Sequence, residues 1–331
     1  AVAVSNGTAA LHLCALALGV GPGHRVITSP NTFVASGNCI LYAGGEVAFA
    51  DIDPSTYCLD IAAVRKKLEA APKGTYQGII PVDFAGLPVD MAAWRALADE
   101  FGCWLLEDAC HAPGGHSPSH RAGDGQWADL AIFSFHPVKH IATGEGGMIT
   151  TARKDLYDKL LLLRTHGITK DPTQLHQQPG GWYYEMQVLG YNYRITDLQC
   201  ALGLSQLGRA EAGLARRRAL AQRYDAAFAN HPAIVTPEVP SGYGHAYHLY
   251  VVQVPDRKAL YDHLRAHQIF AQVHYIPVHL QPYYRTLGHA PGDYPQAEAY
   301  YERCLSLPMY PALSDAEQDY VIETVQNWVN A

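Results

Sequence analysis

The chain of 331 residues contains 48% hydrophobic residues and carries a formal net charge of −7 at pH 7. A chain of this length and composition can bury a large core in about two domains, whereas its negative charge and lack of a basic cluster argue against a nucleic-acid partner. No apolar run is long enough to span a bilayer and no secretion signal is evident, so we expect a cytoplasmic protein without a membrane partner.

Helical and apolar-strand patterns alternate along the chain up to about Thr151, which predicts an α/β fold with a mostly parallel sheet. The pattern predicts a helix at residues 11–18, followed by buried strands at 25–29, 47–50, 78–82, 103–106 and 129–133.

The second half of the chain has a different pattern. Residues 171–184 contain several Pro and Gly residues and are predicted to form a long loop. A pattern rich in Leu, Ala and Arg over residues 196–230 predicts helices interrupted at Gly203, Gly208 and Gly213. A smaller α+β unit follows, with strands at 248–254 and 271–274 and a helix at 257–267. We expect a large domain over residues 1–208, and a linking helix with a small C-terminal domain over 209–331.

A reactive amine is predicted at Lys139, in the segment FSFHPVKH at residues 133–140. A lysine at the mouth of a buried strand loses its proton more easily than a surface lysine and can form a Schiff base. Because most lysines are solvated surface charges, this residue alone does not establish catalysis.

Two other segments have chemistry that fits such a lysine. The apolar run 103–106 ends in Glu107 and Asp108, where Asp108 could keep a ring nitrogen protonated; a helix N-cap is the alternative. The sequence SNGT at 5–8 precedes a helix-forming run, and its free N–H groups, Gly7 and the Thr8 hydroxyl suit a phosphate monoester; an ordinary cap is again the alternative. An amine, a carboxylate and a phosphate cup together describe pyridoxal 5′-phosphate (PLP).

Five segments resemble the sugar aminotransferases of the DegT/DnrJ/EryC1/StrS family, and the resemblance runs from end to end. They are SNGTAALH (5–12), TFVAS (32–36), EDACHA (107–112), residues 134–147 and GYNYR (190–194). The resemblance implies a PLP-dependent transferase fold of the aspartate aminotransferase type (fold type I), with a large domain and a smaller α+β C-terminal domain.

The resemblance also implies roles for individual residues. Lys139 matches the Schiff-base lysine, Asp108 the partner of the pyridinium nitrogen and His111 the residue beside the ring. Phe33 matches the ring-stacking aromatic, although without the family it would be predicted as a core aromatic in a buried strand. The phosphate-binding positions fall on Gly7, Thr8 and Ser134.

Further resemblance-based expectations concern the assembly and the substrates. Asn192 matches an asparagine that reaches the phosphate of the neighbouring protomer, which implies a homodimer with shared active sites. The same geometry would place Arg194, Lys170 and His279 near the pyrophosphate or the glutamate carboxylates. Solvated surface positions are the alternative for these three residues.

Within the family, residues 133–139, 166–170, 182–185 and 273–285 are similar to the transaminases of the pseudaminic acid pathway. This implies transfer of an amino group from L-glutamate to C4 of a UDP-linked 4-keto-6-deoxy-N-acetyl hexose. The alternative is a related 3- or 4-aminotransferase for another UDP-, dTDP- or GDP-linked keto sugar.

Two other readings within the same fold are disfavoured. Related sugar dehydratases carry histidine at the Schiff-base position, so Lys139 favours transamination, in which it carries a proton between the sugar and the cofactor. The complete set of Asp108, His111 and Lys139 argues against a non-catalytic protein.

Metal and dinucleotide sites are not supported by the sequence. His111, His116 and His120, or His274 and His279, lack a second ligand pair at zinc-site spacing, so no metal is expected. The seven scattered cysteines form no CxxC pair and are expected to be reduced. The segment GEGG at 144–147 lacks the GxGxxG order and the following helix that a dinucleotide-binding site requires.

Two departures from the family pattern are expected to matter. The chain starts inside a family motif without an initiator Met, so an N-terminal segment that the family carries is expected to be missing. Ala142 stands where close relatives tend to have Thr, which removes one hydroxyl near the cofactor.

Overall fold

The computed structural model describes residues 1–229 and 231–330, and a seven-stranded sheet lies at the centre of this part of the chain. The strand order is β1-β7-β6-β5-β4-β2-β3. In chain order the strands are β1 (Val2–Val4), β2 (Arg25–Thr28), β3 (Glu46–Phe49), β4 (Gly78–Ile80), β5 (Trp104–Asp108), β6 (Leu130–Ser134) and β7 (Gly147–Thr150).

Strand direction brings the functional segments to one edge of the sheet. Strands β3, β2, β4, β5 and β6 pair in parallel, and β7 is antiparallel to both of its neighbours, β6 and β1. The carboxyl ends of the parallel strands and of β1 therefore lie at the same edge as the start of β7. The predicted fold class is confirmed. Strand β5 extends further than predicted because it pairs with β6 up to Asp108, opposite Ile132, and β6 extends to Ser134 because that residue pairs with Gly147 of β7.

Helices cover both faces of the sheet. The helices α1 (Gly7–Ala17), α2 (Ala35–Tyr42) and α5 (Lys154–Arg164) share one core with the sheet, whereas α3 (Ile61–Glu69) and α4 (Met91–Phe101) share another. Successive strand side chains point to opposite faces. Ile79 and Leu105 therefore join the core under α3 and α4, while Ile80 and Leu106 join the other. This two-sided burial explains why these strands are apolar throughout.

The segment after α5 contains the predicted long loop. Residues 171–184 connect the two-residue strands β8 (Ile168–Thr169) and β9 (Glu185–Met186) without a helix or strand of their own, as predicted. Helices α6 (Asp197–Leu207) and α7 (Ala210–Phe228) follow. They are interrupted at Gly208 as predicted, but Gly203 and Gly213 lie inside the helices. A helix can retain an interior glycine at a cost of about 1 kcal/mol relative to alanine.

The C-terminal part forms a smaller α+β unit. Its elements are β10 (Tyr250–Gln253), α8 (Arg257–Ala266), α9 (Pro282–Arg285), α10 (Pro295–Arg303), β11 (Cys304–Leu307) and α11 (Asp315–Val329). Strands β10 and β11 pair antiparallel, and side chains of α7, α8 and α11 pack in the same core.

The strand predicted at residues 271–274 is wrong. The apolar pattern marks an extended segment, but a strand needs consecutive paired residues, and in the described chain Gln272 alone of this segment forms a bridge, with Ser306 of β11. The division at residue 208 stays a prediction. Within the described residues, none of the helices is both long and apolar enough to cross a membrane.

Candidate active site

A cavity of about 630 Å³ opens at the carboxyl edge of the sheet. The loops after β1 and β2 and the ends of β5 and β6 contribute to its wall. Seven of the predicted site residues line it together, although they are far apart in the chain: Gly7, Thr8, Phe33, Asp108, His111, Ser134 and Lys139.

The start of α1 forms a narrow anion-binding corner in this cavity. Asn6 caps the helix, because its Oδ1 accepts a hydrogen bond from the Ala9 N–H over 2.8 Å. A Cβ atom at Gly7 would lie 2.9 Å from Cβ of Ser134, so only glycine fits there without a shift. The first turn contains no acidic residue, which leaves the positive end of the helix dipole uncompensated. The corner suits a phosphate group.

Asp108 presents a buried carboxylate at the end of β5. Its side chain accepts a hydrogen bond from Ser36 Oγ at Oδ2 (2.7 Å) and one from the Cys110 N–H at Oδ1 (3.2 Å). The residue is 5% exposed and lines the cavity. No helix begins directly after it in the described chain, so the N-cap alternative is wrong. A carboxylate with remaining acceptor sites can bind an N–H group in the cavity.

Lys139 lines the same cavity. Burial lowers the pKa of its amine below the usual value, although Cys110 and Asp108 oppose that change. Its Nζ lies 3.5 Å from Nε2 of His248. Because a lower pKa increases the neutral fraction of the amine, Lys139 has the character of a nucleophile and a base.

Aromatic side chains complete the cavity. Nε2 of His111 lies 3.3 Å from the hydroxyl of Tyr275, and burial together with Lys139 holds the pKa of His111 well below its usual value. Its Nδ1 is buried and has no partner among the described residues. Phe33 is 56% exposed in the loop between β2 and α2, so the core-aromatic alternative is wrong. Its ring centroid lies 6.2 Å from that of Tyr275.

The other predicted site residues do not line this cavity in the described chain. Asn192, Arg194 and Lys170 are exposed. His279 is fully buried, and its Nε2 lies 2.8 Å from Oε1 of Glu298, so the structure does not bring it to the predicted substrate position. The histidines weighed as metal ligands do not form a group that could hold a metal ion within the described chain.

Sequence reasoning missed four residues at the site. Ser36 and Cys110 hold Asp108, Tyr275 reaches His111, and His248 reaches Lys139. Three of them lie in segments that carry the family resemblance, 32–36, 107–112 and 273–285, which was the available signal. His248 lies in a predicted strand, which gave no sign of a site.

This combination of fold and site defines a PLP-dependent transferase. The sequence profile of the DegT/DnrJ/EryC1/StrS aminotransferase family matches residues 1–326, and the chain belongs to that family. It is 43% identical over 337 aligned residues to the spore coat polysaccharide biosynthesis protein SpsC of Bacillus subtilis, covering 99% of this chain and 85% of the relative.

Solved structures share the fold over almost the whole chain. The Streptococcus pneumoniae protein Spr1654 in its PLP form has a TM-score of 0.89 at 31% identity, with 99% of this chain and 86% of that chain covered. PseC of Helicobacter pylori, an aminotransferase of pseudaminic acid biosynthesis, has a TM-score of 0.88 at 28% identity, with the same shares covered.

The residues present fit PLP, on which aminotransferases of this family depend. The corner between Gly7 and Ser134 has space for a phosphate group because residue 7 has no side chain. Asp108, with its carboxylate acceptors, and Lys139, with its amine, line the same cavity. His111 also lines this cavity, and its buried Nδ1 has no partner among the described residues. The family assignment also implies a sugar substrate and an amino donor.

Proposed function

We propose that this chain transfers an amino group from L-glutamate to C4 of a UDP-linked 4-keto-6-deoxy-N-acetyl hexose. This is the reaction of the UDP-4-amino-4,6-dideoxy-N-acetyl-β-L-altrosamine transaminase of the pseudaminic acid pathway. The observation that carries the transaminase part is the convergence of Lys139, Asp108 and the Gly7–Ser134 corner on one cavity. The structural similarity to PseC over 99% of the chain supports the proposed sugar substrate.

Each of the clustered residues has a proposed task. The first turn of α1, with Gly7 and Thr8, and the hydroxyl of Ser134 bind the phosphate of PLP. Asp108 would keep the ring nitrogen protonated, Phe33 would stack on the ring, and His111 would lie beside it.

When bound, PLP supplies an electron sink for the carbon that loses or gains a proton. Lys139 would hold the cofactor covalently between turnovers. Once its amine is released, Nζ accepts and returns the proton of the reacting carbon, which requires a neutral amine.

A homodimer with shared active sites is part of the proposal. Asn192 is exposed and lies outside the cavity of its own chain, which leaves it available to a partner's phosphate site. Helix α6 supports an interface nearby, because none of its residues is buried and Leu198 is 85% exposed. Arg194 and Lys170 would then supply cationic donors for a diphosphate or a dicarboxylate.

We also propose the division into a large domain at 1–208 and a linking helix with a small domain at 209–331. Helix α6 ends at Leu207 and α7 starts at Ala210, so the division falls in the short connection between them.

A second candidate substrate is another nucleotide-linked keto sugar. The chain is 43% identical to a spore coat polysaccharide biosynthesis protein but 28% identical to the pseudaminic acid enzyme. That difference favours a test with several sugars rather than one.

The test is a coupled assay of the full-length protein with L-glutamate and a panel of UDP- and dTDP-linked 4-keto sugars, which measures 2-oxoglutarate formation. Turnover highest with the UDP-linked N-acetyl sugar supports the first candidate, and turnover only with another sugar supports the second. Lys139→Ala is the control without the reactive amine. Glutamate that fails to change the visible spectrum of the wild-type protein would contradict the proposed donor.

A further inference from the structure

A buried histidine that does not line the cavity contacts the Lys139 amine. Nε2 of His248 lies 3.5 Å from Nζ of Lys139, yet His248 does not contribute to the cavity wall in the described chain. The side chain is 7% exposed, and its ring centroid lies 4.3 Å from that of His111. Lys139 therefore lines the cavity, while its amine also contacts a buried imidazole that does not line it.

The direction of this hydrogen bond follows from the charge of the two groups. Burial holds the pKa of His248 well below its usual value, and Lys139, His111, His140 and Arg217 lower it further. The ring is therefore neutral near pH 7 and has one acceptor nitrogen, whereas a protonated lysine amine has donors only. When the amine is protonated, Nε2 is the acceptor of this hydrogen bond, which places the ring proton on Nδ1, a buried atom without a partner among the described residues.

The backbone at His248 is held by a buried arginine. Arg217 of α7 is 4% exposed, and its Nη1 donates to the carbonyl oxygens of Tyr247 (3.0 Å), His248 (3.4 Å) and Met309 (2.9 Å). Its Nε is buried without a partner among the described residues, so in the described chain the guanidinium is compensated by these three carbonyl contacts. A buried cation is tolerated when hydrogen bonds compensate its lost hydration, so these carbonyl contacts tie the segment at residue 248 to α7.

We propose that His248 is a positioning residue for Lys139: its neutral Nε2 accepts a hydrogen bond from the amine and keeps Nζ directed at one point of the cavity whenever the amine is not bonded to the cofactor. The inference rests on the proposed role of Lys139 as the reactive lysine. It adds a residue that acts on Lys139 through a hydrogen bond to its amine.

The physical need for such a residue comes from the lysine side chain. Its flexible stem would otherwise sample several rotamers each time the amine is released. A base works only within hydrogen-bond reach of the proton that it transfers. An acceptor fixed to a buried backbone limits the positions of Nζ.

The test compares His248→Leu, which has no acceptor, with His248→Gln, whose amide oxygen can replace Nε2. In the full chain freed of cofactor, competitive acetylation of Lys139 over a pH series, read by peptide mass spectrometry, gives the pH midpoint of its amine. Tyr247→Phe is a matched control in the same segment. The other ionisable groups around the pair are the same in all variants: Asp108, Cys110, His111, His140, His274 and Arg217.

His248→Leu should move the Lys139 midpoint down by about one pH unit, because an acceptor stabilises the charged amine. His248→Gln should restore most of the wild-type value, and Tyr247→Phe should keep it. In the holoenzyme, kcat should fall for His248→Leu while KM for the sugar stays the same. If the leucine chain does not fold, His248→Asn takes its place, since its shorter amide does not reach Nζ.

Equal midpoints in wild type, His248→Leu and His248→Gln, with cooperative unfolding retained, would overturn the positioning role and leave the proposed function intact. Turnover that persists in Lys139→Ala would instead overturn the role of the lysine itself.

Discussion

Ser36 Oγ lies 2.7 Å from Oδ2 of Asp108, so the first turn of α2 donates a hydrogen bond to the carboxylate at the end of β5. Thr32 Oγ1 lies 2.8 Å from the same Ser36 hydroxyl and can donate to it in turn. Two hydroxyls on the loop and helix that follow β2 therefore orient a carboxylate two strands away in the sheet. The orientation of Asp108 depends on residues more than seventy positions earlier in the chain.

Ser36→Ala should weaken the function of Asp108 without removing it. A hydrogen bond to a charged group contributes roughly 1.5–3 kcal/mol, so cofactor affinity or kcat should fall about tenfold or somewhat more. Cofactor titration followed by absorbance measures the change. Ser55→Ala removes a Ser–Asp hydrogen bond outside the cavity and should leave both quantities at their wild-type values.

Asp108→Asn should have a larger effect on the rate than Ser36→Ala. A neutral amide stabilises a protonated ring nitrogen far less than a carboxylate does, so we expect the cofactor to bind and kcat to fall on the order of a hundredfold or more. Steady-state kinetics with saturating glutamate provide the measurement. A kcat equal to that of wild type would assign the ring nitrogen to another partner.

Lys139→Ala and Lys139→Arg should keep the fold and lose both turnover and the visible absorbance of lysine-bound cofactor. Neither side chain provides a primary amine, and arginine stays protonated at any working pH. Circular dichroism and thermal unfolding check the fold. Turnover with glutamate in either variant would contradict the assignment of the reactive amine.

Gly7→Ala should weaken phosphate binding at the start of α1. The added Cβ would lie 2.9 Å from Cβ of Ser134, so either the helix start or β6 must shift at the point where the phosphate is proposed to bind. We expect the PLP dissociation constant to rise about tenfold or more, as for the loss of a charge-assisted hydrogen bond.

Gly21→Ala is the control for Gly7→Ala, because a Cβ there meets no atom within 4 Å and its backbone φ is not positive. Equal PLP affinity in the two alanine variants would mean that the Gly7 corner does not bind the phosphate.

Mixed dimers test whether the active sites are shared. If Asn192 completes the phosphate site of its partner, a dimer of one Lys139→Ala chain and one Asn192→Ala chain has one site with both defects and one with neither. Activity should therefore rise when the two poor homodimers exchange subunits. Mixed dimers that stay inactive after confirmed exchange would remove the shared-site proposal and leave the Lys139 chemistry unaffected.

The local chemistry of this site could be predicted from short stretches of sequence. A glycine and hydroxyls before a helix-forming run, a carboxylate after an apolar strand and a lysine after the next strand are each recognisable from neighbouring residues. The alternation of strand and helix also places their segments at one sheet edge, because parallel strands end together. Short-range pattern therefore predicted the α/β fold, the positions of Asp108 and Lys139 after buried strands, and the position of Gly7 at the start of a helix.

The tertiary structure determined which side chains from distant parts of the sequence join Gly7, Asp108 and Lys139 at the site. Ser36, Tyr275 and His248 reach Asp108, His111 and Lys139 through packing of α2 and of the C-terminal unit against the sheet edge, which no local period encodes. Packing also removed predictions that local pattern favoured: Gly213 stays within α7, and Gln272 alone of residues 271–274 pairs with a neighbouring strand in the described chain. It likewise buries His279 against Glu298, away from the substrate position that the family resemblance implied. Backbone preference and apolar period act over a few residues, whereas these contacts depend on how whole helices and strands pack together.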